Sequence, residues 1–208
     1  MKRMKSRDLI ALVVAFTVVA GGCSVLSPQE DRSRYFVLMP VASDSLSSSD
    51  VASSGRPLTV GLGPITIPHY LERPEVVTRL NDTELALSDT DRWGEPLDAS
   101  VSRILAQDLS SDLPTIQIVA FPWSKRTQID YRISVDFRHL ERMADGKVEV
   151  QAAWTVRSGI DNKLVEGGAT TAKGSAGNDE RSASAALSEG IAQISREIAE
   201  ALRKRSQL

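Results

Sequence analysis

The stretch that decides the fold runs from Ile129 to Val156 and reads IDYRISVDFRHLERMADGKVEVQAAWTV. Apolar residues occupy every second position in its first half, at Ile129, Tyr131, Ile133, Val135 and Phe137. The same alternation follows the turn at 144–146, at Val148, Val150, Ala152, Trp154 and Val156. Two alternating runs joined by a short turn predict an antiparallel β-hairpin with one buried face. Trp154 alternates with valines and is therefore predicted to lie in the core.

Further strands are predicted on both sides of this hairpin. They cover Arg34–Met39, Leu58–Leu62 (interrupted by Gly63-Pro64), Val76–Leu80 paired with Glu84–Ser88, Ile116–Phe121 and Leu164–Ala172. Each is a short apolar or alternating run bounded by turn residues. The serine-rich segment 41–57 is predicted to be a loop.

Two helices complete the predicted fold. The first begins at Pro96 and ends before Pro114, and the second is capped by Asp179 or Ser182. The second helix carries one apolar stripe, made of Leu187, Ile191, Ile194, Ile198 and Leu202. This stripe suits packing on a sheet or a coiled-coil seam. The order of elements predicts a single domain over 34–208 of the α/β (α+β) class, with a mixed, largely antiparallel sheet packed against two long helices.

The first 23 residues predict export and lipid attachment. A basic start is followed by an uncharged stretch over 9–22, which is short for a membrane-spanning helix but has the size of a signal-peptide core. The sequence Ala-Gly-Gly then precedes Cys23, the only cysteine of the chain, and this resembles the bacterial lipobox. We predict a signal peptide over 1–22, a lipidated tether over 23–33, and lipid on Cys23. The alternatives are an ordinary signal peptide with a chance cysteine and a short N-terminal anchor.

Charge and residue types argue against nucleic acid and against catalysis. The whole chain has a formal charge of −2 and its first 22 residues carry +3, so the remainder is at −5. Such a domain has no general attraction for phosphate backbones. His69 and His139 are the only histidines and show no metal-ligand spacing, and no glycine-rich phosphate loop is present. We predict a protein that is not an enzyme, binds no nucleic acid, and has no cofactor and no metal.

Several segments resemble the signature of a known family. Residues 68–74 read PHYLERP and lead into VVTR at 76–79, and residues 92–97 read RWGEPL. Together with Phe121-Pro122-Trp123, they resemble the auxiliary lipoproteins of ABC-type transport systems, the PqiC/YmbA type.

This resemblance implies a function. It implies a lipoprotein on the periplasmic face of the outer membrane, acting as a non-catalytic docking subunit beside a periplasmic MCE-domain protein. Such a system carries lipids or other hydrophobic molecules across the envelope and supports membrane integrity, and its lipoprotein is expected to form a homo-oligomer. Ser24 is compatible with sorting to the outer membrane. The alternative is a free-standing envelope lipoprotein that binds a small apolar ligand or stabilises another outer-membrane complex.

The candidate contact residues lie in the two longer segments. We predict that Tyr70, Leu71, Arg73 and Trp93 contact a partner or lipid. In the alternative, Tyr70 and Trp93 fill the edge of the sheet while Arg73 pairs with a carboxylate. Trp123 is expected either at the rim of the core or in an exposed contact.

Overall fold

The computed structural model describes residues 31–41, 56–124, 126–177 and 179–206. The predicted signal peptide, Cys23 and most of the serine-rich segment lie outside the described residues. Ser33–Leu208 forms one compact unit. Its buried apolar side chains extend from Leu38 to Leu202, so this domain carries its own hydrophobic core.

Eight strands of the described chain form one sheet. They are β1 (Arg34–Phe36), β2 (Leu58–Thr66), β3 (Glu75–Arg79), β4 (Leu85–Trp93), β5 (Ile116–Ala120), β6 (Tyr131–Met143), β7 (Lys147–Ser158) and β8 (Leu164–Ser175). Strand β6 is central: β7 pairs along one of its edges, while β2 and β3 share the other edge. Strand β5 extends the sheet beyond β2, and β4 and β1 extend it beyond β3.

The predicted central hairpin is confirmed. Strands β6 and β7 pair antiparallel, with Val135 opposite Trp154, and β8 continues the antiparallel ladder. Ile133 and Val135 are buried and Trp154 is 6% exposed, so the alternating residues do form the core face. The hairpin of β3 and β4 is confirmed as well, although β4 runs on to Trp93.

Parallel pairing joins the remaining strands. Strand β2 is parallel to both β5 and β6, β3 is parallel to β6, and β1 is parallel to β4. The sheet is therefore mixed, as predicted, and its longest ladders are the antiparallel ones beside β7.

The predicted ends of β1 and β2 were also wrong, and β8 continues to Ser175 rather than ending at Ala172. Strand β2 does not stop at Leu62 but continues through Gly63-Pro64 to Thr66. Its pairing with β6 skips from Leu62 to Ile65, so Pro64, which has no N–H to donate, stands at the irregularity where no ladder bond is needed. Strand β1 ends at Phe36 rather than Met39, because Phe36 already pairs with Trp93, the last residue of β4.

Two α-helices pack on the sheet, α1 (Leu97–Asp112) and α2 (Glu180–Ser206). Asp179 caps α2, since its Oδ2 accepts the Ser182 N–H at 3.0 Å, and Ser182 itself lies inside the helix. The apolar stripe of α2 is 0–2% exposed, and the helix contacts β7, β8 and α1. Packing on the sheet is thus confirmed over a coiled-coil seam, and each buried Leu or Ile stabilises the fold by about 1.5–3 kcal/mol.

Candidate functional site

The β3–β4 hairpin brings the two longer motif segments together. Segment 68–74 ends where β3 begins, and segment 92–97 begins where β4 ends. Because the strands are antiparallel, these two ends of the hairpin are adjacent. The Trp93 N–H donates to the Pro74 carbonyl at 2.7 Å and so closes the junction.

A surface pocket of about 450 Å³ lies at this junction. Its lining comes entirely from the two segments and the first turn of α1: Glu72, Arg73, Pro74, Trp93, Gly94, Glu95, Pro96, Leu97 and Asp98. Trp93 and Leu97 are 7% and 2% exposed and form an apolar floor. The side chains of Glu72, Arg73 and Asp98 are exposed and form a charged rim.

A buried carboxylate fixes the first segment to the sheet. The side chain of Glu141, on β6, is 0% exposed. Its carboxylate accepts the Tyr70 hydroxyl at 3.0 Å, Nε of Arg79 at 2.7 Å and the Leu140 N–H at 2.7 Å. Nδ1 of His139 lies 3.1 Å from the same carboxylate. The Tyr70 hydroxyl also accepts Nη2 of Arg79 at 2.9 Å. The three side chains of Tyr70, Arg79 and Glu141, here called the Glu141 cluster, therefore connect segment 68–74 to β3 and β6.

The charge state of this cluster follows from its contacts. Burial by itself raises the pKa of Glu141, but hydrogen bonds from Leu140, Arg79, His139 and Tyr70 outweigh it, so that the pKa is lowered below its usual value. Burial and the neighbouring Glu141 charge raise the pKa of the Tyr70 hydroxyl. Glu141 is thus held ionised and Tyr70 neutral, an arrangement that binds the loop in place.

The second segment is fixed to α1 in a similar way. Oε1 of Glu95 accepts the Ser100 hydroxyl at 2.6 Å and Nη2 of Arg103 at 2.5 Å. Hydrogen bonds from Ser100 and Arg103 lower the pKa of Glu95. Between the two segments, Nη1 of Arg92 donates to Glu75 at 2.9 Å. The pocket is therefore built on two braced segments rather than on a loose loop.

The four predicted contact residues divide into two groups. Leu71 and Trp93 are 2% and 7% exposed, and their burial favours a role in the core over direct contact. Tyr70 is half-buried and bonded to Glu141, whereas Arg73 is exposed at the rim of the pocket. The buried carboxylate is paired by Arg79 rather than by Arg73.

Glu141 is the site residue that sequence reasoning missed. It follows Leu140 in β6, just after a pairing irregularity between Phe137 and His139. A strict two-residue period through Ile133, Val135 and Phe137 would place residue 141 on the core face, but the irregularity puts Leu140 there instead. Glu141 then faces the other side of the sheet, where Tyr70 and Arg79 bond to it. Arg79, the last residue of the VVTR segment, was the one feature of the sequence that could have indicated a partner carboxylate such as Glu141.

Trp123 of the third segment does not pack against the hydrophobic core but lies on the opposite face of the sheet. It is half-buried, and a Cβ added at Gly61 would lie 3.0 Å from its ring. Phe121, 56% exposed, meets it edge-on with ring centroids 5.2 Å apart. This apolar pair covers β2 on the side opposite the buried side chains of Val60 and Leu62.

Two features are absent from the part of the chain that the structure describes. There, no group of three or more His, Cys, Asp or Glu side chains could hold a metal ion. Within the same residues, no helix has both the length and the apolar character needed to cross a membrane.

The fold and the site define the class: a single-domain α+β protein in which a mixed sheet and two helices support one braced surface pocket. Residues 41–199 match the family described as the ABC-type transport auxiliary lipoprotein component, and the chain belongs to this family. The domain is thus that of an ABC-type transport auxiliary lipoprotein, as the motif resemblance predicted.

Individual relatives agree with this assignment. The chain is 27% identical over 143 residues to the intermembrane transport lipoprotein PqiC of Escherichia coli strain K12, covering 69% of this chain and 71% of that protein. Its fold is similar to a crystal structure of an uncharacterized protein, with a TM-score of 0.67 and 19% identity, over 82% and 98% of the two chains. A crystal structure from Xanthomonas campestris is also similar, with a TM-score of 0.63 and 13% identity, over 84% and 100%.

Proposed function

We propose that this chain is a non-catalytic docking subunit of an intermembrane lipid transport system. In this proposal, lipid on Cys23 holds it at the periplasmic face of the outer membrane, and a periplasmic MCE-domain protein is its partner. The observation that carries the proposal is that both longer family segments meet at one braced pocket with an exposed charged rim. The system would move lipids or other hydrophobic molecules and so support membrane integrity.

Rigidity is the first support for docking at this pocket. A surface that is already ordered loses little conformational entropy when a partner binds, so more of the contact energy appears as affinity. The Glu141 cluster orders segment 68–74, and the contacts of Glu95 with Ser100 and Arg103 order segment 92–97. Both segments are therefore suited to recognition.

The exposure of the side chains around the pocket indicates which of them a partner would contact. Arg73 presents a cation beside the carboxylates of Glu72 and Asp98, and these three exposed side chains form the rim of the pocket. Trp93 and Leu97 form the apolar floor beneath this rim. We therefore assign partner contact to the rim, with Arg73 at its centre, and a positioning role to Tyr70.

The core supports docking over the binding of an apolar ligand inside the domain. Side chains that face the interior from α1 and α2 are 0% exposed, including Ile104, Leu105, Ile191, Ile194 and Ile198. Close packing of this kind leaves little room for a guest molecule between helices and sheet.

The chemistry near the pocket also supports a non-catalytic role. A general acid or base needs a pKa near the operating pH and access to its substrate. Glu95 has a lowered pKa and accepts hydrogen bonds from Ser100 and Arg103, and Glu141 is 0% exposed with a lowered pKa. Both carboxylates thus serve the structure of the segments.

Co-purification tests the proposal. The full chain would be tagged at its C-terminus and isolated from whole membranes in mild detergent, and the recovered proteins and the mass of the complex would be measured. We expect an MCE-domain protein together with more than one copy of this chain, and loss of the MCE-domain protein from the recovered complex for Cys23→Ala and for Arg73→Glu. The matched control is Arg126→Glu, an exposed charge reversal away from the pocket.

Two outcomes would count against the proposal. Recovery of this chain without an MCE-domain protein, under conditions that preserve known envelope complexes, would favour a free-standing lipoprotein. Equal partner recovery by Arg73→Glu and Arg126→Glu would remove the contact from the pocket rim.

A further inference from the structure

The first described segment of the domain exposes a row of apolar side chains. Tyr35, Val37 and Met39 are 64%, 47% and 59% exposed, whereas Leu38 between them is fully buried. An extended chain sends alternate side chains to opposite sides, so these three point the same way, out of the molecule. We call them the N-terminal apolar face.

This face is part of the folded domain rather than a loose tail. Backbone groups of residues 36–41 bond to four different places in the fold. These contacts are Gly94 N–H to the Phe36 carbonyl at 2.8 Å, Arg103 Nη2 to the Leu38 carbonyl at 3.1 Å, Met39 N–H to the Ser188 hydroxyl at 3.2 Å, and Val41 N–H to Oδ1 of Asp108 at 3.1 Å. The apolar side chains are therefore presented at fixed positions.

A groove of about 400 Å³ continues the face towards the first turns of α2. Ala185 and Ser188 contribute to its wall and the exposed Arg181 stands at its edge. On its other side the face reaches the motif pocket, because a Cβ added at Gly94 would lie 3.1 Å from Cγ1 of Val37. The apolar face thus connects this groove with the mouth of the pocket.

We propose that the N-terminal apolar face rests in the headgroup–acyl boundary of the phospholipid bilayer that carries the lipid anchor. The proposal deepens the proposed function and rests on anchoring at Cys23. Tyrosine and aliphatic side chains flanked by cations are the combination that binds this boundary, with the apolar groups in the acyl region and the cations at anionic headgroups. Here the exposed Arg181 supplies the cation, whereas Arg34 is paired with Asp91.

Chain length selects the bilayer as the occupant. Tyr35 follows Cys23 by twelve residues, which can span at most about 40 Å even when fully extended. Because the N-terminal apolar face lies within this distance of the membrane anchor, it contacts the bilayer whenever the domain tilts towards the membrane. The same orientation places the adjoining motif pocket near the membrane surface, where a partner that transports lipid has to dock.

A label test can place the face without relying on natural anchoring. The domain over 24–208 contains no cysteine, so single cysteines at Val37→Cys and Ile160→Cys can carry an environment-sensitive fluorophore. Ile160 is 94% exposed in the turn between β7 and β8 and is the matched control. An N-terminal histidine tag would hold the domain on vesicles of phosphatidylethanolamine, phosphatidylglycerol and a nickel-chelating lipid.

We expect the label at 37 to shift to the blue and to be quenched by lipid-borne quenchers, and the label at 160 to do neither. The change Tyr35→Ser/Met39→Ser should reduce the shift at 37 by about tenfold, since the neighbouring apolar groups would no longer enter the boundary. No shift at 37, or equal shifts at 37 and 160, would overturn the proposal. A shift at 37 that grows with protein concentration in the absence of vesicles would assign the face to a second copy instead. Because the artificial tag replaces the lipid at 23, these results do not depend on the transport function.

Discussion

Arg79 is the cation that keeps a carboxylate charged inside the fold, and Arg79→Met removes it while retaining an apolar side chain. Glu141 is 0% exposed and Arg79 only 14% exposed. The variant would keep the Leu140 N–H, the Tyr70 hydroxyl and the His139 ring as neighbours of Glu141 but would lose the charge-assisted bond at 2.7 Å. Glu141 would then be a buried charge without its arginine countercharge.

Removing one partner of a buried ion pair costs about 3–5 kcal/mol, because the remaining charge stays desolvated. That is a large fraction of the 5–15 kcal/mol that is usual for a domain. The matched control is Arg92→Met on the same hairpin. Its bond to Glu75 has a similar length, 2.9 Å, but both side chains are 30% exposed. A pair in that setting contributes only about 0–1 kcal/mol.

The pH dependence gives the prediction a sign. In the wild type the pKa of Glu141 is lowered in the folded state. Its stabilisation is therefore present above the unfolded pKa near 4.5 and is lost as the pH falls through the folded pKa. In Arg79→Met the bond from Arg79 no longer lowers the pKa of Glu141, so this pKa is higher than in the wild type and acidification protonates the carboxylate earlier. The difference in stability between wild type and variant should therefore shrink as the pH falls through the pKa of Glu141 in the variant and then through the lower one in the wild type.

Urea unfolding of the domain over 24–208, followed by tryptophan fluorescence, measures these free energies. We expect a loss of about 3–5 kcal/mol for Arg79→Met near neutral pH and about 0–1 kcal/mol for Arg92→Met. Equal effects of the two variants, or a loss for Arg79→Met that does not change with pH, would refute the role given to the Glu141 cluster.

Three further changes test other parts of the fold by the same unfolding assay. Burial raises the pKa of Asp108 from 3.8 to about 6. Ionisation of this carboxylate therefore lowers the stability of the folded domain as the pH rises through that range. The Asp108→Asn variant should be about 1–3 kcal/mol more stable than wild type near neutral pH and no more stable below pH 4. A Cβ on Gly190 would lie 2.6 Å from Cγ2 of Val150. Gly190→Ala should therefore lower the free energy of unfolding by about 1–3 kcal/mol, although alanine favours helices. A gain in stability would show that α2 can move away from β7. Trp93→Ala should lower stability by about 3–5 kcal/mol because the side chain is only 7% exposed. An unchanged unfolding curve would instead support a role for Trp93 in partner contact.

The secondary structure was largely predictable because its patterns are local. Alternation over Ile129–Val156 identified β6 and β7, and the stripe of α2 identified its buried face. The continuation of β2 through Pro64 was not predictable, since it depends on a pairing irregularity with β6 that only the assembled sheet contains. The parallel pairing of β2 and β3 along successive parts of β6 is likewise a long-range property.

The site was predictable as a pair of segments but not as a set of side chains. Motif resemblance singled out 68–74 and 92–97, and the hairpin between them brings both to one pocket. Which residues point outward depends on packing, however, so Leu71 and Trp93 could not be separated from Arg73 in advance. The role of Glu141 could be recognised only from the structure, in which β6 lies beneath Tyr70.

Photocrosslinking from the pocket rim in living cells tests the central claim most directly. A benzoylphenylalanine would replace Asp98, an exposed rim residue, in the full, anchored chain that retains Arg73, and the same group at Ile160 would serve as the control position. Our account predicts a crosslinked adduct of this chain with an MCE-domain protein from position 98 and none from position 160. Absence of that adduct at 98, or its formation equally from both positions, would contradict the assignment of the pocket rim as the docking surface.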